Sequence, residues 1–92
     1  MIISFRCKDT QKLAEGLKVR RFTNIERAAL RKIRQLQIAG SLDDLRIPPG
    51  NRLQSMSGDR VGQYSIRIND QYCLCFLWND GNAEDVELID YH

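Results

Sequence analysis

The spacing of apolar residues changes once along this 92-residue chain, and that change limits what it can fold into. Before Gly40, Ile25, Ala29, Ile33 and Leu36 recur at the period of a helix with one buried stripe. After Pro48-Pro49-Gly50, which no regular element accommodates, the period falls to two. Arg52 to Met56, Gln63 to Ile68, Tyr72 to Trp78 and Glu84 to Tyr91 then read as four strands. Ser57-Gly58-Asp59-Arg60, Asn69-Asp70-Gln71 and Asn79-Asp80-Gly81-Asn82 join them, and connections this short imply an antiparallel meander. Helices first and hairpins afterwards specify an α+β fold, with two amino-terminal helices packed on one face of a mostly antiparallel sheet.

Ile2, Ile3 and Phe5 begin a short strand, and Asp9 or Thr10 offers a cap for a brief helix that Gly16 can end. The second helix has capping-box spacing in Thr23-Asn24-Ile25-Glu26. Opposite its apolar stripe, Arg27, Arg31 and Arg34 align at i, i+4 and i+7, for solvent or for phosphate. In the connection that follows, Leu42, Leu45 and Ile47 are expected to pin the chain to the core.

Alternation sorts the strand side chains. Tyr64, Ile66 and Ile68 face one way, and Tyr72, Phe76 and Trp78 form their partner row on the next strand, a core face more readily than a base-stacking one. Ser65, Arg67, Cys73 and Cys75 fall on the opposite face, expected to be open. Asp90 and His92 share one face of the last strand, with Tyr91 on the other. His92 is the one histidine of the chain, and imidazole titrates near neutral pH, which suits a general acid.

The length fits one domain, residues 1–92, with a modest core and no internal repeat. No apolar run approaches the roughly 18 residues of a membrane span, and no signal peptide is evident, so a cytoplasmic protein away from membranes is expected. Charge is segregated. Residues 1–67 hold all 14 Lys and Arg against 6 acids, whereas the last 25 residues hold 6 acids and no base, which suggests an anionic partner for one surface, nucleic acid first. The three cysteines, Cys7, Cys73 and Cys75, have neither disulfide-framework nor zinc-clip spacing, so buried thiols in a reducing compartment are expected and no metal site.

Four blocks carry a resemblance: Pro48-Pro49-Gly50-Asn51-Arg52-Leu53, Ser57-Gly58-Asp59-Arg60-Val61-Gly62-Gln63, Ser65-Ile66-Arg67-Ile68-Asn69-Asp70-Gln71 and the closing Asp90-Tyr91-His92. Together with the opening Met1-Ile2-Ile3-Ser4-Phe5, they resemble the HigB or plasmid-killer branch of the RelE-like toxins over nearly the whole chain. The resemblance implies a type II toxin with a microbial-ribonuclease-like fold, and a HigA-like helix-turn-helix antitoxin that inhibits it and carries it to operator DNA. It further implies entry into the A site of the 70S ribosome and cleavage of mRNA there, with no cofactor. Such chemistry needs a base, an acid for the leaving 5′-oxygen and cations around the phosphorane, because RNA supplies its own 2′-OH nucleophile.

By the same resemblance Asp90, Tyr91 and His92 match the family's terminal catalytic triplet, with His92 as acid or proton shuttle, Asp90 tuning its charge and Tyr91 donating a hydrogen bond or stacking on a base. Arg52, Arg60 and Arg67 are RNA-binding candidates at phosphate. Three positions depart, the first being Ser57, which sits where some members have Lys. Gln54 stands where members commonly carry His, so the general base is open, and Cys73 follows Tyr72 where relatives usually read Trp-Arg. A thiol cannot replace a permanent cation aimed at phosphate. Either Arg67 or Arg52 supplies the charge, or the chain is a weakened toxin acting mainly by binding antitoxin. A gyrase-directed relative of the ParE type is a third reading, against which the proton-transfer residues at positions 90–92 count.

Overall fold

In the computed structural model, which describes residues 1–90, the first helix, α1, runs over Lys8–Ala14. Neither expected cap serves it. Cys7, a weak acceptor at best, occupies the cap position in place of either, Asp9 pairs with Arg21 at 3.0 Å, and Thr10 is buried, its hydroxyl accepting the Leu88 N–H at 3.0 Å. Gly16 does end the helix, at φ +86°, where the Leu17 and Gly16 amides donate to the carbonyls of Lys12 and Leu13. Two orphan carbonyls are thereby satisfied in the pattern that left-handed glycine permits.

A 3₁₀ turn, Arg20–Ile25, leads into α2, Glu26–Ile38. The expected capping box is absent because the Thr23 hydroxyl donates back to the Arg20 carbonyl at 2.9 Å. A true box forms later, between Ser41 and Asp44, at the turn Leu42–Arg46. Ile25, Ala29, Ile33 and Leu36 are buried as the periodicity requires, and Arg27, Arg31 and Arg34 are exposed. In the connection Leu45 is fully enclosed, but Ile47 is 72% exposed and pins nothing. A polar side chain does that work instead. Asn51, with no exposed surface, donates to the Leu45 carbonyl at 3.0 Å and to Gln35 Oε1 at 2.9 Å, and accepts from Lys32 Nζ, tying the segment to α2.

Strands β1 (Gln54–Ser55), β2 (Gln63–Arg67), β3 (Tyr72–Asn79) and β4 (Asn82–Asp90) form an antiparallel sheet in sequence order. The first hairpin strand is thus shorter than expected. The amino-terminal segment makes two parallel bridges to β4, Ile2 to Ala83 and Phe5 to Val86, in place of a full strand. Asp80 and Gly81, at φ 52° and 81°, make the two-residue turn whose twist suits a tight hairpin.

Between Cys75 and Leu77 the register slips by one residue, absorbed at Asp85 with φ 51°. This bulge lets Ala83, Val86 and Leu88 all reach the core despite their uneven spacing. The helices cover that face, where Ile66, Leu74, Phe76 and Leu88 meet Leu13, Phe22, Ile33 and Leu36. The aromatic row belongs to this core: Tyr72 meets Phe22 edge-on at 6.0 Å, and Phe76 lies 6.3 Å from both Tyr64 and Trp78.

Candidate active site

The face turned away from the helices carries Gln63, Ser65 and Arg67 of β2, and Cys73 and Cys75 of β3. It is more enclosed than the alternation alone suggests. Cys73 is 6% exposed, Cys75 0% and Ser65 8%, because the segment joining β1 to β2 folds back over the sheet. Its anchor is Arg60. One nitrogen, Nη1, donates to Gln63 Oε1 on β2 and to Glu87 Oε1 on β4, both at 3.1 Å, so the guanidinium spans the strand that carries the thiols. Glu87 faces this side because it alternates with the buried Val86 and Leu88 and lies directly opposite Cys75.

Beside this bridge, Arg52, Gln54, Met56, Ser65, Arg67 and Cys73 line a hollow of about 190 Å³. Arg52, just after the buried Asn51, has left-handed backbone with φ 48°, and Arg67 Nη2 donates to Asp70 Oδ1. The fold therefore gathers Arg52, Gln54, Arg67 and Cys73, which are distant in sequence, and leaves Arg60 out of the lining. Asp90 lies elsewhere. It shares the parity of the core-facing Leu88, and its carboxylate accepts from Gln71 Nε2 at 2.9 Å. Tyr91 and His92 lie outside the described residues.

Two guanidiniums, an amide and a hydroxyl around one hollow favour an anion with several acceptor oxygens. Among the described residues the lining offers no base. Gln54 and Ser65 do not titrate in the working range, and the Cys73 thiol is pushed up by its hydrogen bond with Cys75 and by burial. Cys75 is pushed down, first by the bond it receives from Cys73, with the Arg60 charge adding to the effect against burial.

Solved structures share this architecture. The chain superposes on YafQ from E. coli with a TM-score of 0.66 at 14% identity, covering 98% of this chain and 91% of that one. It superposes on the YoeB/ParE toxin from Agrobacterium tumefaciens with a TM-score of 0.56 at 12% identity, covering 99% and 98%. The fold is thus the RelE-like toxin fold. Residues 5–92 match the family described as the RelE-like toxin of type II toxin-antitoxin system HigB. Toxin HigB-1 of Vibrio cholerae is 42% identical over 85 residues, 90% of each chain. An uncharacterized protein of Haemophilus influenzae is 32% identical over 66 residues, 72% of this chain and 65% of its own. The chain belongs to the HigB-like toxins of type II toxin–antitoxin systems, a class defined by an antitoxin partner.

Proposed function

We propose that this toxin is an endoribonuclease that cuts mRNA in the A site of the ribosome, without metal or other cofactor, in the cytoplasm. A HigA-like helix-turn-helix antitoxin neutralises it and links it to operator DNA. The observation that carries this reading is the convergence of Arg52, Gln54, Arg67 and Cys73 on one hollow. There Arg52 and Arg67 hold the scissile phosphate and favour the charge that grows on it, while Gln54 orients the 2′-OH by hydrogen bonding. Proton transfer falls to His92 as acid, with Tyr91 donating a hydrogen bond or stacking on a base and Asp90, which accepts from Gln71 outside the hollow, tuning the charge of His92 without touching the phosphate, and Arg60 secures the wall of the site. Binding on the ribosome supplies alignment that a two-arginine hollow lacks by itself.

One observation favours a second reading. Cys73 brings a buried, neutral thiol to the hollow where relatives usually place a cation, so this chain acts as a weakened nuclease whose main role is to bind antitoxin and repress its operon. Losing one preorganised charge contact costs about 3 kcal/mol, or two decades of rate. Growth arrest on induction without antitoxin, compared with Cys73→Arg and with deletion of His92, separates the readings. Arrest by the unmodified chain that disappears with His92 supports a competent nuclease. Arrest by Cys73→Arg alone supports the weakened one, and arrest that survives loss of His92 refutes the proton-transfer assignment.

A further inference from the structure

The two thiols of β3 form a pair. Cys73 lines the hollow, Cys75 lies behind it fully enclosed, and their sulfurs are 3.6 Å apart. Alternate residues of a strand stand about 6.6 Å apart at Cα, at the upper edge of the span a disulfide can bridge, so closing the bond to about 2.05 Å requires β3 to bend locally. Cys7 is occupied elsewhere, at the start of α1, where Arg21 Nη2 lies 3.5 Å from its sulfur.

We propose that Cys73 and Cys75 are a reversible oxidation site, at which a hydroperoxide entering the hollow closes an intramolecular disulfide and so reshapes the hollow. Two S–H bonds and the peroxide O–O bond break. One S–S bond forms, and the two protons leave on oxygen as one alcohol and one water, with two electrons passing from sulfur to the peroxide. A thiol reductant reverses the change by exchange. The effect spreads through the ladder, because Cys73 pairs with Arg67 and Ile89, and Cys75 pairs with Ser65 and Glu87. Drawing the two side chains together pulls on the strands that hold Arg67 and, through Glu87, Arg60. This inference rests on the thiol geometry and stands whether or not the hollow binds RNA.

The test uses the full chain with Cys7→Ser, treated with stoichiometric hydrogen peroxide. The expected result is a monomer lighter by two hydrogens that has lost both alkylatable thiols and regains them with dithiothreitol. Amide resonances of Ser65, Arg67, Glu87 and Ile89 should move, while those of α2 stay. Neither Cys73→Ser nor Cys75→Ser should show this shift. The unmodified chain, mapped by peptide mass, gives the same readout should Cys7→Ser fold poorly. Retention of both thiols, a disulfide between molecules, oxidation to sulfinic acid, or unmoved resonances at the four register partners would each overturn the proposal.

Discussion

Arg60 and Glu87, 27 positions apart, are joined at 3.1 Å across the middle of the sheet, with side chains 30% and 22% exposed. Their pairing holds the β1–β2 connection over β3 and, with it, the enclosed side of the hollow. A pair this sheltered lies between a surface bridge and a buried one.

Breaking it by Glu87→Gln is expected to cost about 1–2 kcal/mol, since the guanidinium keeps Gln63 but loses its counter-charge. A double-mutant cycle with Arg60→Met, read by urea denaturation, should return a coupling of about the same size. Zero coupling would show that the connection is held by its backbone alone.

The hydrogen bonds of Asn51 predict a larger effect. Asn51→Ala removes two donors and an acceptor from a site without exposed surface and leaves the Leu45 carbonyl unpaired. A loss of about 2–3 kcal/mol follows, visible as a lower urea midpoint with an unchanged slope. Asn51→Asp keeps the acceptor for Lys32 but not the donors, and should fall between the two.

At the hollow, Arg52→Gln and Arg67→Gln should each weaken binding of a labelled single-stranded RNA by roughly tenfold and lower the salt dependence by about one unit of slope. Asp70 competes with phosphate for Arg67, so Asp70→Asn should tighten binding two- to fivefold on the order of a surface ion pair. Fluorescence anisotropy at fixed salt measures all three. Equal affinities throughout would place the RNA elsewhere.

The thiols should separate by pH. Burial works to raise the Cys7 pKa, but hydrogen bonds from Thr10 and Asp9 and the Arg21 charge outweigh it and bring the value below 9.0. Because the folded value is lower than the unfolded one, the unfolded chain binds more protons in the interval, and this contribution to stability grows as pH rises toward 9.0 and is absent below the folded value. Alkylation followed by mass should find Cys7 reacting first, with a midpoint below 9.0 that Arg21→Gln moves upward. Cys73, at the edge of the hollow, should be alkylated far more slowly than Cys7, and Cys75, with no exposed surface, only after unfolding.

The parts of this molecule that obey a period were legible in the sequence. The α2 stripe, the strand order and the core placement of Ile66 and Phe76 follow from spacings of 3.6 and two. Ile47 and the Thr23 box depart from the pattern because polar bonds compete locally: Asn51 and Gln35 tie the connection through the Leu45 and Ile47 carbonyls, and the Arg20 carbonyl takes the Thr23 hydroxyl. Arg52, Gln54, Arg67 and Cys73 were singled out as candidates, but their meeting in one hollow depends on the fold-back after β1. Alternation with Val86 and Leu88 puts Glu87 on the face of Cys75, but its ion pair with Arg60 depends on where the β1–β2 connection folds, which no spacing encodes.

The parallel bridges at Ile2 and Phe5 have a consequence for synthesis. Ala83 and Val86 donate their amides to the carbonyls of Met1 and Ser4, and Leu88 donates to Thr10 from 78 positions away. The amino-terminal segment therefore waits for β4 before it finds its partners. Without β4, Arg60 also lacks Glu87, and the wall of the hollow keeps only its bond to Gln63. A chain that stops before β4 therefore lacks the partners of its own amino-terminal segment and of Arg60 at once.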